Sequence, residues 1–145
     1  MPLFDYFRAP AVDAVRQQMD ADATRPLATF DGADIKNIDP TVVLGQLIAF
    51  ATGRPWTPSL AGDTLIWPAD PSDHEGPWVV VLADETRDAL ATIPAAQIPD
   101  LAERWATIDE LTTDPDALRP VIERFTALAA QARDHHESLF CWMAL

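Results

Sequence analysis

The sequence predicts a single α+β domain in which a small mixed β-sheet packs against several helices. The chain has 145 residues, a length at which one domain buries about two-thirds of its unfolded surface. Hydrophobic residues make up 48% of it, and candidate strands alternate along the chain with segments of helical periodicity. Because neither an internal repeat nor a flexible linker divides the sequence, we expect residues 1–145 to fold as one unit.

The N-terminal part predicts a strand, a helix and a second strand. Residues 3–7 form a short aromatic run that favours a strand, and apolar residues at helical spacing predict a helix over about 10–19. Residues 27–30 indicate a second strand that ends at the turn signal Asp31-Gly32.

The clearest helix start in the sequence is Asp39-Pro40. An aspartate can cap the free N–H groups of a helix, and proline suits the first helical position. A broad apolar face follows, and Gly53 stands where a glycine is expected just beyond a helix end. A helix is therefore predicted over about 40–52.

Two strands are predicted on either side of a polar, proline-rich loop at 68–77. They cover residues 64–67 and 78–83. The second is a continuous run rich in β-branched residues, which is typical of a central strand covered on both faces. A helix capped by Asp84 or Thr86 is expected to follow it.

The C-terminal part predicts two helices and a strand. The first helix covers about 99–111, and the longest helix, about 116–135, carries an apolar stripe with a clear 3.6-residue period. A terminal strand follows at 138–143, and it would be held in place by its large apolar side chains.

The cysteine and histidine content argues against a metal site or a thiol nucleophile. The single cysteine, Cys141, has no partner for an intramolecular disulfide. Alternation puts it on one strand face with Leu139 and Met143, so we interpret it as a buried apolar residue. His135 and His136 are adjacent and would point about 100° apart on a helix, which is the wrong spacing for two metal ligands.

The charge excludes some partner classes. The chain has 23 Asp or Glu against 10 Lys or Arg, a net charge of −13. Such a field repels nucleic acid and anionic membrane surfaces. No glycine-rich phosphate-binding loop or nucleophile elbow occurs, so no cofactor is predicted and an enzymatic activity is not favoured. The N-terminus lacks a signal-peptide pattern, so a cytoplasmic location is expected.

The leading hypothesis is a non-catalytic interaction protein with an acidic surface, of the immunity type that neutralises a basic toxin or other basic partner protein. Acidic surfaces accelerate association with basic partners, although the same charge also suits a protein that must only stay soluble. Trp56 lies in a loop and is the best candidate for an exposed aromatic anchor, although capping of the core is an equally good interpretation. The candidate partner-binding residues are Trp56, Asp63, Asp70, Asp73, His74 and Glu75.

Two alternatives stay open. A small-molecule-binding or hydrolytic enzyme would have its pocket near the loop 68–77, with Asp63, Asp70, Asp73 and His74 as its polar groups. The test is whether Asp73 and His74 converge on a concave, partly apolar pocket. The other alternative is self-association through an edge strand near either terminus.

Four blocks of the sequence resemble the YfbM-like family, a bacterial family of unknown function. The blocks are residues 4–7 with the helix after them, 39–53, 79–82 with 85–90, and 125–132 with 138–142. Val43 and Gln46 stand where that family often has Trp and His, so no site is carried over. The resemblance implies an α+β fold and no particular activity.

Overall fold

The computed structural model describes residues 2–22 and 25–145 and confirms a single α+β domain with a long C-terminal helix and a terminal strand. Among these residues the strands are β1 (Leu3–Ala9), β2 (Gly32–Asp34), β3 (Thr64–Trp67), β4 (Trp78–Val81) and β5 (Ser138–Ala144). The α-helices are α1 (Val12–Ala21), α2 (Gly45–Thr52), α3 (Asp84–Ala91), α4 (Ile98–Trp105) and α5 (Pro115–Asp134).

The sheet has the strand order β2-β1-β5-β4-β3, and every neighbouring pair is antiparallel. The prediction of a mixed sheet is therefore wrong, because the sheet contains no parallel pair among the described strands. The middle strand is β5, because it pairs along its whole length with β1 on one side and with β4 on the other. The strands nearest the two termini, β1 and β5, are thus interior strands of the sheet. The self-association hypothesis required one of them to be an edge strand, and the described structure contradicts this.

Strand β4 is covered on both faces as expected, although it is not the central strand. Val79 and Val80 are both buried, and they belong to two different apolar cores. The prediction of double burial came from the continuous apolar run, whereas the place of a strand in the sheet depends on its partners elsewhere in the chain.

The second predicted strand is wrong in position. Residues 26–28 form a 3₁₀ turn, in which the Pro26 carbonyl accepts hydrogen bonds from the amides of Thr29 and Phe30 at 2.9 and 2.8 Å. The strand is β2, which pairs with β1 a few residues later. Its Gly32 lies so close to β1 that a Cβ atom would overlap the Tyr6 carbonyl oxygen.

The helix start at Asp39 is confirmed. The Asp39 carboxylate accepts hydrogen bonds from the amides of Val42 and Val43 at 2.8 and 3.1 Å. The first turn, Pro40–Leu44, is π-helical and continues directly into α2, which ends at Gly53 with a left-handed φ of 71°.

The next two helices differ from the predictions. Neither Asp84 nor Thr86 caps α3, since Ala83 occupies the capping position without a side-chain bond. Thr86 instead donates its hydroxyl to the Ala61 carbonyl at 2.8 Å and ties the preceding loop to the helix. Helix α4 ends at Trp105, well before residue 111, and the Trp105 indole donates to the Val43 carbonyl at 2.9 Å.

The sheet separates two apolar cores. One face packs against helices α2 to α5, and its largest buried side chains include Tyr6, Trp105 and Phe125. The other face packs against α1 through Phe7 and Phe140. In β5, side chains alternate between the two cores as predicted, with Cys141 in the first and its neighbours Phe140 and Trp142 in the second.

Candidate functional site

The sequence-predicted site residues fall into two separate groups, and the first of them meets at Thr41. The Trp56 indole donates to the Thr41 carbonyl at 3.1 Å, and the Thr41 hydroxyl donates to the Asp63 carboxylate at 2.8 Å. We name Thr41, Trp56 and Asp63 the Thr41 site. Trp56 is 39% exposed and Asp63 is half-buried, so both reach the surface while their polar atoms are held in place.

Local sequence explains why this site forms at the start of the helix. Asp39 fixes the first turn by capping it, and Thr41 lies in that turn. One turn further on, Gly45 leaves room for the indole, because a Cβ at this position would come within 2.9 Å of Trp56 Nε1. Trp56 therefore both covers the helix and presents part of its ring to solvent.

The Thr41 site suits a cationic group. The indole N–H is already bound, so the ring itself is what Trp56 offers to a partner, and Asp63 supplies a carboxylate close by. A partly exposed aromatic ring and a carboxylate that are both held by Thr41 offer an arginine or lysine side chain cation–π attraction and ion pairing.

The second group, in the loop 68–77, is mainly structural. Asp70 accepts hydrogen bonds from the hydroxyl and the amide of Ser72, the latter at 3.1 Å. These bonds, the hydroxyl one first, lower the pKa of the Asp70 carboxyl. Asp73 has a positive φ of 59°, and Asp73 and Glu75 are both exposed.

His74 fixes this loop to the sheet. Its ring lies edge-on to Trp67 and Trp78, with centroid distances of 5.6 and 6.0 Å, and Nε2 donates to the Pro77 carbonyl at 2.8 Å. His74 is half-buried whereas Asp73 is exposed. His74 therefore has a packing role, whereas Asp73 lies in solvent, and the enzyme hypothesis stays a prediction.

Four grooves on the described surface lie away from this loop, and none of them is lined by a residue of 68–77. Three contain an arginine: Arg54 in a groove of about 500 Å³ between α2 and α3, Arg25 in one of about 600 Å³, and Arg124 in one of about 210 Å³. The fourth has a volume of about 510 Å³ and is lined by no basic residue. We name it the acidic groove.

The sequence analysis predicted neither the acidic groove nor the role of Thr41 in binding Trp56 and Asp63. The signal for the groove was the segment 109–116, which contains four acids and no base. Thr41 gave no such signal, because its partners Trp56 and Asp63 are 15 and 22 residues away in sequence.

A charged cluster on the α1 face of the sheet was also missed. Asp5 is completely buried, and Arg25 donates to both of its carboxylate oxygens, from Nε at 2.7 Å and from Nη2. The same Nη2 lies 3.2 Å from Asp34, and the guanidinium carbon is 5.4 Å from the ring centroid of Trp142. The hydrogen bonds with Asp5, more than any other contact, raise the pKa of Arg25.

The described residues contain no group of three or more His, Cys, Asp or Glu side chains close enough to hold a metal ion. Within the same part of the chain, no helix has the length and apolar character needed to cross a bilayer. No family model, curated protein or solved structure matches this sequence.

Proposed function

We propose that this protein is a non-catalytic interaction protein that binds a basic protein partner through its acidic surface. An immunity-type protein that neutralises a basic toxin in the cytoplasm is the concrete form of this proposal. The observation that carries it is the number of carboxylates that the fold leaves without an internal ion pair.

Internal ion pairs use most of the bases but fewer than half of the acids. Within the described residues, seven of the ten bases and ten of the 23 acids form such pairs. Asp22 is set aside, which leaves twelve carboxylates against three bases, Lys36, Arg54 and Arg124. The twelve are Asp20, Asp39, Asp63, Asp70, Asp73, Glu75, Glu85, Glu103, Asp109, Glu110, Asp114 and Glu123.

Ten of these twelve side chains are exposed; only Asp39 and Asp63 are half-buried. An excess of exposed negative charge accelerates association with a positively charged partner, and salt reduces this acceleration by screening the charges. The Thr41 site adds an aromatic ring and a carboxylate that are held by the same residue, and a fixed aromatic side chain is a common source of binding energy at protein interfaces. The resemblance to YfbM-like proteins stays a prediction and adds no activity to this proposal.

The experiment is to capture a partner from a lysate of the source organism at low salt, purify it, and measure its association rate by stopped flow. We expect the rate constant to fall at least about tenfold between about 20 and 500 mM NaCl. A rate that does not depend on salt contradicts the proposal and leaves solubility as the role of the charge.

Two double variants separate recognition from charge alone. Trp56→Ala with Asp63→Asn removes the Thr41 site, and we expect the complex to dissociate at least about tenfold faster. Glu103→Gln with Glu123→Gln neutralises two exposed carboxylates on other helices and is the control, which we expect to change only the association rate and its salt dependence. Equal effects of both variants on dissociation contradict a role for the Thr41 site.

A further inference from the structure

The acidic groove lies between the start of β1, the first turn before α2, and the segment that connects α4 to α5. Its lining residues are Pro2, Phe4, Asn37, Asp39, Val42, Val43, Glu110, Leu111, Thr112 and Thr113. Phe4, Val43 and Leu111 are buried in the core, so the floor of the groove is firm and apolar. A volume of about 510 Å³ is within the range in which a pocket encloses a side chain or a small ligand.

The charges around this floor are almost all negative. Two lining residues, Asp39 and Glu110, are acidic and none is basic. Both Asp39 oxygens accept backbone N–H groups, which fixes the carboxylate at the edge of the groove. Glu110 is exposed and makes one hydrogen bond, from the Gln46 amide at 3.3 Å.

Neighbouring residues in the chain extend the same sign. Asp109 and Asp114 flank the groove segment, and both are exposed and without an ion pair in the described structure. Lys36, one residue before the lining Asn37, is the nearest base along the chain. Each of the other three grooves described above has an arginine in its lining, so among these four the acidic groove matches the charge of a basic partner best.

We infer that the acidic groove receives an apolar side chain of the partner protein, on a segment in which lysine or arginine residues flank it. This inference rests on the proposed function, because it assigns the surface and the chemistry of the basic partner. The apolar side chain would cover Phe4 and Leu111, and the flanking cations would lie near Glu110 and its acidic neighbours. Thr112 and Thr113, exposed at the rim, would supply hydrogen bonds for the partner's backbone.

The test uses a short synthetic peptide, acetylated and amidated, in which one phenylalanine stands between two pairs of lysines. It is titrated into the isotope-labelled protein, and amide shifts are followed by NMR. We expect the largest shifts at Val42, Leu111 and Thr112. Replacing the peptide phenylalanine with glycine should weaken binding about tenfold or more, and replacing its lysines with glutamates should abolish the shifts.

A matched pair of charge reversals locates the binding on the protein. Glu110→Lys should raise the dissociation constant at least about fivefold. Glu123→Lys makes the same change on an exposed position of α5 that carries no ion pair, and it should change the constant less than about twofold. Thermal unfolding of both variants shows that the fold is retained.

Four results overturn the inference. If the amide shifts spread over the acidic surface, and Glu110→Lys and Glu123→Lys weaken binding equally, charge alone attracts the peptide. Equally tight binding of the glycine peptide has the same meaning. Absence of binding also overturns it. A concentration-dependent dimer in sedimentation that Glu110→Lys abolishes means that a second copy of the chain covers the groove. The proposed function fails separately, through an association rate that is independent of salt.

Discussion

The buried carboxylate of Asp5 gives the sharpest test of the fold. Arg25 is its ion-pair partner, and it is 42% exposed while Asp5 is completely buried. This asymmetry predicts unequal costs for removing the two sides. Arg25→Ala leaves a charge inside the protein, whereas Asp5→Asn leaves a guanidinium that water and Asp34 still solvate.

The magnitude follows from these burials. Loss of one partner from a buried ion pair costs about 3–5 kcal/mol. Because water reaches Arg25, we expect Arg25→Ala to lower the free energy of unfolding by about 3 kcal/mol, the low end of that range. Asp5→Asn should cost about 1–2 kcal/mol, the loss of charge-assisted hydrogen bonds. In the double variant no charge is left buried, so it should be more stable than Arg25→Ala alone by about 1 kcal/mol or more.

Urea unfolding followed by circular dichroism measures these differences, and urea leaves the ionic strength unchanged. Equal m-values across the variants establish that the folded and unfolded states remain comparable. Arg104→Ala is the control, since its ion pair with Asp100 is exposed on both sides, and it should cost less than about 1 kcal/mol. A double variant that is less stable than Arg25→Ala would refute the reasoning.

Three further predictions concern single elements. Asp39→Ala should lower stability by about 1 kcal/mol in urea unfolding, because two amides lose their acceptor; no change would mean that another group caps the helix. His74→Ala should cost about 1 kcal/mol and shift the tryptophan emission, since its ring contacts two indoles, yet leave binding of the basic partner unchanged if the loop is structural. Burial raises the pKa of both Cys141 and Tyr6, so the stability that these two groups contribute is fully present below about pH 8.5, the ordinary thiol pKa, and falls as the pH rises beyond it. Cys141→Ala should move the onset of this fall to about pH 10, where only the tyrosine contributes; an unchanged pH profile would contradict the assignment to the thiol.

Elements whose evidence is local could be predicted from the sequence. The long helix α5, the terminal strand β5 and the helix start at Asp39 each have their signal within a few residues, as an apolar period, a run of large apolar side chains or a cap. The same holds for the alternation of β5, which placed Cys141 in one core and Trp142 in the other.

Features that depend on distant partners could not be predicted. Strand β2 exists because Gly32 can approach the backbone of β1, and no pattern around Gly32 indicates that approach. Thr86 has the residue type of a cap, but the Ala61 carbonyl, 25 residues away, takes its hydrogen bond. Strand order has the same origin, since β1 and β5 pair from opposite ends of the chain.

The candidate site also combines features that local sequence predicts with features that depend on distant residues. The loop position of Trp56 between prolines favours an exposed anchor and a cap on the core equally, and in the structure Trp56 reaches the surface. That Asp63 would join it depends on Thr41, which binds both residues from the helix side. His74 was chosen for its chemistry, yet Trp67 and Trp78 hold it in a structural position.

Folding makes the accessible charge of this protein more one-sided than its composition. The whole sequence has 23 acids against 10 bases, but within the described residues seven of the ten bases form ion pairs, several of them at the surface. Arg25 is held by Asp5 and Asp34, and Arg8 by Asp31 and Glu137. With Asp22 set aside, twelve carboxylates and three bases of the described residues are without an internal ion pair.

Charge of this kind, spread over several faces, can accelerate encounter but cannot choose one basic partner among many, because selection needs a place where shape and charge coincide. We propose two places for this selection. At the Thr41 site the polar atoms of an aromatic ring and a carboxylate are fixed by hydrogen bonds, and at the acidic groove an apolar floor lies beside Glu110. Selectivity for the partner should therefore be sensitive to Trp56 and Glu110, whereas neutralising exposed carboxylates elsewhere, such as Glu123, should change only how fast the partner arrives.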